Sequence, residues 1–84
     1  MKTPANVTIV DSDANEFTRC GVYYDTGMIT CNHQGVTLIV DPANYCPSDP
    51  KRMWDERAGG WSDFCVKSVV LDSKIIVKTG KNTS

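Results

Sequence analysis

Five side chains in this sequence have the types that could do covalent or metal chemistry: Cys20, Cys31, Cys46, Cys65 and the single histidine, His33. A thiol becomes a nucleophile only as a thiolate, so it needs a base or a cation beside it. His33 could serve Cys31 or Cys20 in that role. A second arrangement, of the ribonuclease kind, would set His33 with Glu16 or Asp25 and Arg19. Acid–base chemistry needs a second strong group in reach, and the chain has only one histidine. No Gly-rich phosphate loop precedes a helix. Ten, fourteen and eighteen residues separate successive cysteines, with no C-x-x-C pair. Structural zinc sites use ligands paired closely in sequence, so a metal site is disfavoured and no cofactor is expected. Two disulfides are the better reading, and four cysteines leave three connectivities open. Oxidised cysteines are not nucleophiles, so a non-enzymatic protein is expected.

The chain has 84 residues, enough for one domain, 1–84, with a small core that cross-links often supplement. Disulfides place it in an oxidising compartment, hence secreted. Residues 1–5 carry a charge with no apolar run behind it, so a secreted form would have lost its signal. No apolar stretch is long enough to span a bilayer. Asn6-Val7-Thr8 and Asn82-Thr83-Ser84 fit the N-glycosylation pattern, which supports secretion weakly. Net charge is −1, and only the last third is basic, with Lys67, Lys74, Lys78 and Lys81. Nucleic-acid binders carry a basic balance or stripe, so nucleic acid is not the expected partner.

The elements that must position these groups are short strands. Residues 7–10 make a strand ending in the turn formers Asp11-Ser12-Asp13-Ala14-Asn15. Residues 17–32 make a hairpin around Asp25-Thr26-Gly27, with Gly27 supplying the left-handed position of a three-residue loop. On its first arm Cys20, Val22 and Tyr24 share one face, which is the better core face, and Gly21 marks a bulge or a close backbone approach. Asn32-His33-Gln34-Gly35 is a turn with positive φ at Gly35. Residues 36–40 are nearly continuously apolar and should sit centrally, stopped by Asp41-Pro42. Within 41–64, Ser48-Asp49-Pro50 reads as a helix start and Gly59-Gly60 as its end, so a short helical turn is expected near 50–58. Residues 65–71 and 74–79 make a closing hairpin, with Leu71 opposite Lys74 and Val70 opposite Ile75. Val66, Val70, Ile75 and Val77 then form its core face, and Val69 and Leu71 point outward with the lysines. Cys65 has outer-face parity, so a disulfide from it would need a bulge. About six strands with turns between them point to a small sandwich or barrel.

Phe17-Thr18-Arg19-Cys20-Gly21-Val22-Tyr23-Tyr24-Asp25 resembles a strand of the MAX family of fungal plant-pathogen effectors (Magnaporthe avirulence and ToxB-like), in which a cysteine precedes Val-Tyr-Tyr-Asp. Gly21 is an extra residue here. The stretch from Phe64-Cys65-Val66 to Ile75-Ile76-Val77 is similar to the family's closing hairpin, which a cysteine opens. The resemblance covers roughly a third of the chain, and family members share little sequence. It implies a six-stranded antiparallel β-sandwich of two sheets, stapled by disulfide. Within it, Cys20 pairs with Cys65 and Cys31 with Cys46. Two departures stand out: residues 7–10 add a strand without a cysteine, and 41–64 is long for the family.

The resemblance implies a secreted virulence or avirulence effector that binds a host plant protein and is taken into host cells. Some members extend a sheet of a metal-associated-like domain of an immune receptor. The edge for that is expected on the 17–32 hairpin, with Tyr23, Tyr24 and Asp25 on one arm and Met28 and Thr30 on the other. Trp54 and Trp61 are the other binding candidates, because Trp is enriched at interfaces but also plugs small cores. The protein is expected to be a monomer. Rival readings are a secreted antimicrobial or toxin-like protein, which would usually be more basic, and a small secreted hydrolase or ribonuclease using His33.

Overall fold

Ala5, Val7 and Ile9 alternate with polar or exposed neighbours, and this period of two makes the first strand. The structure, a computed structural model, describes residues 2–71 and the backbone of 74–78. Its strands are β1 (Lys2–Val10), β2 (Glu16–Tyr24), β3 (Ile29–His33), β4 (Val36–Val40), β5 (Arg52–Asp55), β6 (Gly60–Leu71) and β7 (Lys74–Lys78). Each pairs antiparallel with the next, and β1 also pairs with β6. Six strands therefore close into a barrel, with β7 continuing past β5 along the edge of β6. The fold is all-β, as expected, but one closed sheet replaces the two sheets of a sandwich.

The turns follow from their residues. Asp11 folds the first loop by accepting bonds at Oδ1 from the Asp13 and Asn15 amides, both 2.9 Å. These bonds hold its carboxyl below the usual carboxylate range, the Asn15 amide contributing most. Gly27, at φ 95°, donates to the Tyr24 carbonyl at 2.8 Å, closing the three-residue loop. Gln34 and Gly35, at φ 53° and 81°, make the tight turn between β3 and β4.

The core takes Ala5, Val7 and Ile9 from β1, Ile29 and Cys31 from β3, and Leu38 and Val40 from β4. Met53 from β5 and Val66 and Val69 from β6 complete it. Each large side chain buried this way is worth about 1.5–3 kcal/mol over exposure.

Two expectations about faces and one about a helix fail, for identifiable reasons. On β2, Phe17 and Tyr23 pack on the core while Cys20 is exposed, so the inner face is opposite to the one expected. Gly21 holds an inner position where a Cβ would stand 2.1 Å from the Thr30 carbonyl oxygen and 2.8 Å from Val7 Cγ2. On β6, Thr8 opposes Ser68 and Ile9 opposes Val66, leaving Lys67 as an extra residue. That bulge reverses the parity, so Val66 and Val69 are both buried and Val70 turns outward. Near 50–58 no helix forms. Asp49 does cap a turn, accepting from the Lys51 amide at 3.0 Å, and the Arg52 amide reaches its carbonyl at 3.0 Å. The chain then extends into β5, which puts Met53 into the core at 0 % exposure. The Leu71–Lys74 and Val70–Ile75 pairs are as expected. The 72–73 turn, the tail from 79 and the expected inward faces of Ile75 and Val77 lie outside the described residues.

The cysteines are unpaired. Cys20 opposes Asn6 on one side of β1, and Cys65 opposes Val10 on the other. Four residues of strand rise, about 13 Å, and two strand spacings, about 10 Å, lie between them, and a disulfide bridges Cα atoms no more than about 7 Å apart. Cys31 faces the core between Gly21 and Leu38, and burial pushes its thiol up to about 11. Cys46 instead contacts the Ser48 hydroxyl at 3.3 Å. Neither pairing implied by the resemblance is formed.

Gly21→Ala should cost about 3 kcal/mol or more, because the clash is with backbone that cannot move aside. A lowered urea midpoint would register it; an unchanged midpoint would show that β2 does not approach β3 this closely.

Candidate docking face

One row of side chains crosses the outside of the barrel by strict register. Pro4 opposes Val22, Val22 opposes Thr30, Thr30 opposes Ile39, Ile39 opposes Trp54, and Trp54 opposes Trp61. Sequence neighbours of these residues, among them Ala5, Ile29, Cys31, Leu38, Val40 and Met53, are buried, so the row itself must point outward. The two indoles meet edge to face, with centroids 5.1 Å apart at 87°. Such a pair adds about 0.5–1.5 kcal/mol beyond its burial. Trp61 remains 37 % exposed.

A distortion in β6 fixes this pair. Arg52 opposes Cys65 while Trp54 opposes Trp61, so Ser62, Asp63 and Phe64 together face Met53. The Ser62 hydroxyl donates to the Met53 carbonyl at 2.8 Å, and the Arg52 guanidinium donates to the Ser62 carbonyl at 2.8 Å. A cleft of about 220 Å³ runs beside the pair, lined by Met28, Ile39, Asp41, Asn44, Trp54 and Glu56. Its floor is the paired Ile39 and Trp54, and the loops carrying Met28 and Asp41 to Asn44 rise beside them.

Tyr24, Met28, Thr30, Trp54 and Trp61 thus lie on the outside, Met28 and Trp54 in the cleft. Asp25 is exposed in the adjoining turn. Tyr23 packs on the core instead. Thr30 is no edge residue, since it pairs with both Val22 and Ile39. On the 17–32 hairpin, residues 17–20 oppose β1 alone and Asn32 opposes β4 alone. Ile39, Asp41 and Glu56 were not anticipated. The opposite parity of Ile39 to Leu38 and Val40 was visible, but its Trp neighbour follows only from β5.

His33 lies in packing, not in a polar turn. It is 6 % exposed, with Phe17 and Phe64 ring centroids 4.8 and 4.9 Å away. Arg19 Nε donates to His33 Nδ1 at 3.1 Å, so that nitrogen is an acceptor and the ring is neutral. The cluster fills the gap that opens where β2 leaves β3. Among the described residues no three His, Cys, Asp or Glu side chains gather as a metal requires, and no helix is long and apolar enough to cross a membrane. Comparison with protein-family models, with curated proteins and with solved structures returns no match.

Burial, then the Arg19 charge, lowers the His33 pKa below 6.5, against a smaller opposite pull from Asp11. The unfolded chain therefore binds the extra proton first. Stability is fully present above the unfolded pKa and falls as pH drops through and below about 6.5. The melting temperature should decline from about pH 7 to about pH 5, and His33→Phe, which keeps a ring between Phe17 and Phe64, should flatten that decline. An equal slope in the variant would show that His33 is not the titrating group.

Proposed function

We propose that this protein is a non-enzymatic binding module that docks a partner protein on the outer face running from Val22 to Trp61. The Trp54–Trp61 pair carries this reading. Two indoles are set edge to face on the outside of a closed sheet, at the end of a row containing Val22 and Ile39. Trp residues in such positions are typical binding anchors. Asp41 and Glu56 flank the cleft beside them. The partner segment that fits is apolar with arginine or lysine at its margin, since complementary charge selects a partner and speeds its encounter.

The narrower reading is a secreted effector acting on a host plant protein. It rests on the resemblance of residues 17–25 and 64–77 to the MAX family. The Cys20–Cys65 and Cys31–Cys46 pairings that went with it are not formed. A hydrolase using His33 is less favoured, because Arg19 occupies one ring nitrogen and two phenyl rings enclose the imidazole.

A random displayed-peptide library, selected on the folded protein, tests the docking face. Enriched peptides should combine apolar and basic residues. Trp54→Ala or Trp61→Ala should weaken them by about 2 kcal/mol, or about 30-fold. Thr18→Ala, where β2 pairs only with β1, should leave them unchanged. Peptides indifferent to both Trp substitutions, or no enrichment, would refute the proposal.

A further inference from the structure

We infer that the cleft over Ile39 and Trp54 is a pocket for one arginine side chain of the partner, an inference that rests on the docking reading. The cleft combines three kinds of wall in about 220 Å³. Met28 and Ile39 form an apolar surface along which a methylene stem can lie. The Trp54 indole supplies an aromatic wall, which attracts a cation held over it. Asp41 and Glu56 bring carboxylates from two directions. Asp41 lies just past the end of β4, two residues beyond Ile39, and Glu56, whose amide donates to the Thr37 carbonyl at 3.0 Å, lies beside a residue two before Ile39. Asn44 completes the lining.

Net charge across the cleft is negative. Arg52, the cation on β5, is drawn to the Ser62 carbonyl at 2.8 Å. Asp41 Oδ1 accepts from the Ala43 amide at 2.9 Å, which orients the carboxylate within its turn. Guanidinium fits this set better than ammonium. Its plane stacks on an indole, its fork engages carboxylates, and it is more weakly hydrated.

The test is a two-dimensional NMR titration of the full chain with Nα-acetyl-arginine N-methylamide. Nα-acetyl-citrulline N-methylamide, uncharged and of the same shape, and the lysine analogue are the comparisons. Arginine should shift the amides of Met28, Ile39, Asp41, Asn44 and Glu56 and the Trp54 indole N–H, with weak, saturable affinity. Citrulline should bind at least tenfold more weakly, and lysine should fall between them. Asp41→Asn with Glu56→Gln should weaken arginine at least tenfold while leaving the Trp54–Trp61 signals in place. Citrulline binding as well as arginine, or shifts spread over the surface, would overturn the pocket. If library peptides depend on Trp54 and Trp61 while free arginine leaves the cleft untouched, the pocket is wrong and the docking face stands. If arginine binds the cleft while peptides ignore both Trp substitutions, the docking face is wrong, and the cleft is an arginine site without the partner assigned to it.

Discussion

Closing six strands around so small a core requires two strands to approach more closely than side chains allow, and Gly21 is where this happens. Any Cβ there would overlap the Thr30 carbonyl and crowd Val7 and Cys31. Because it is glycine, β2 can be joined to β1 along its whole length and still be sewn to β3 at Gly21, Val22 and Tyr23. Before Gly21 the two strands part, and Phe17, Arg19, His33 and Phe64 fill the space. The aromatic plug and the closed barrel are two consequences of one missing side chain.

Closure also changes what kind of binding surface the molecule presents. Edge strands offer unpaired backbone, and closing a sheet removes them. The middle of the 17–32 hairpin has no such edge, since both neighbours of Thr30 are strands. On the face from Val22 to Trp61, what serves recognition is side chains on a curved outer wall, where β5 and the bulged β6 bring two Trp residues together. The irregularities lie beside the proposed site. The loop after β4 walls the cleft, and the Ser62–Phe64 distortion holds Trp61 against Trp54.

Much of the fold was legible in sequence where local rules act alone. Residues 36–40, the Gly27 loop, the Gly35 turn and the Leu71–Lys74 and Val70–Ile75 pairs follow from turn chemistry and β-branched runs, whereas the register shift between Val69 and Val70 does not. The faces of β2 and β6 were not legible, because alternation counts residues and cannot see an inner glycine or an extra Lys67. The 50–58 stretch misled for a related reason. Asp49 makes the cap that a helix start would use, and tertiary burial of Met53 then overrides it. The docking residues were half visible: Tyr24, Met28, Thr30, Trp54 and Trp61 were singled out, but only the register across β4 and β5 shows that Ile39 joins them into one row. Cysteine count pointed to staples, and the register of β1 with β2 and β6 separates Cys20 from Cys65.

Amide hydrogen exchange at Thr30 tests the central claim, that a closed barrel and not a free edge underlies the outer face. Thr30 is paired in register with Val22 on one side and Ile39 on the other. Its amide should therefore exchange only through global opening, with the same free energy as the core amides of Val7 and Leu38. Exchange at the rate of an open edge would mean that β2 and β3 do not close as described, and the row from Val22 to Trp61 would not be continuous.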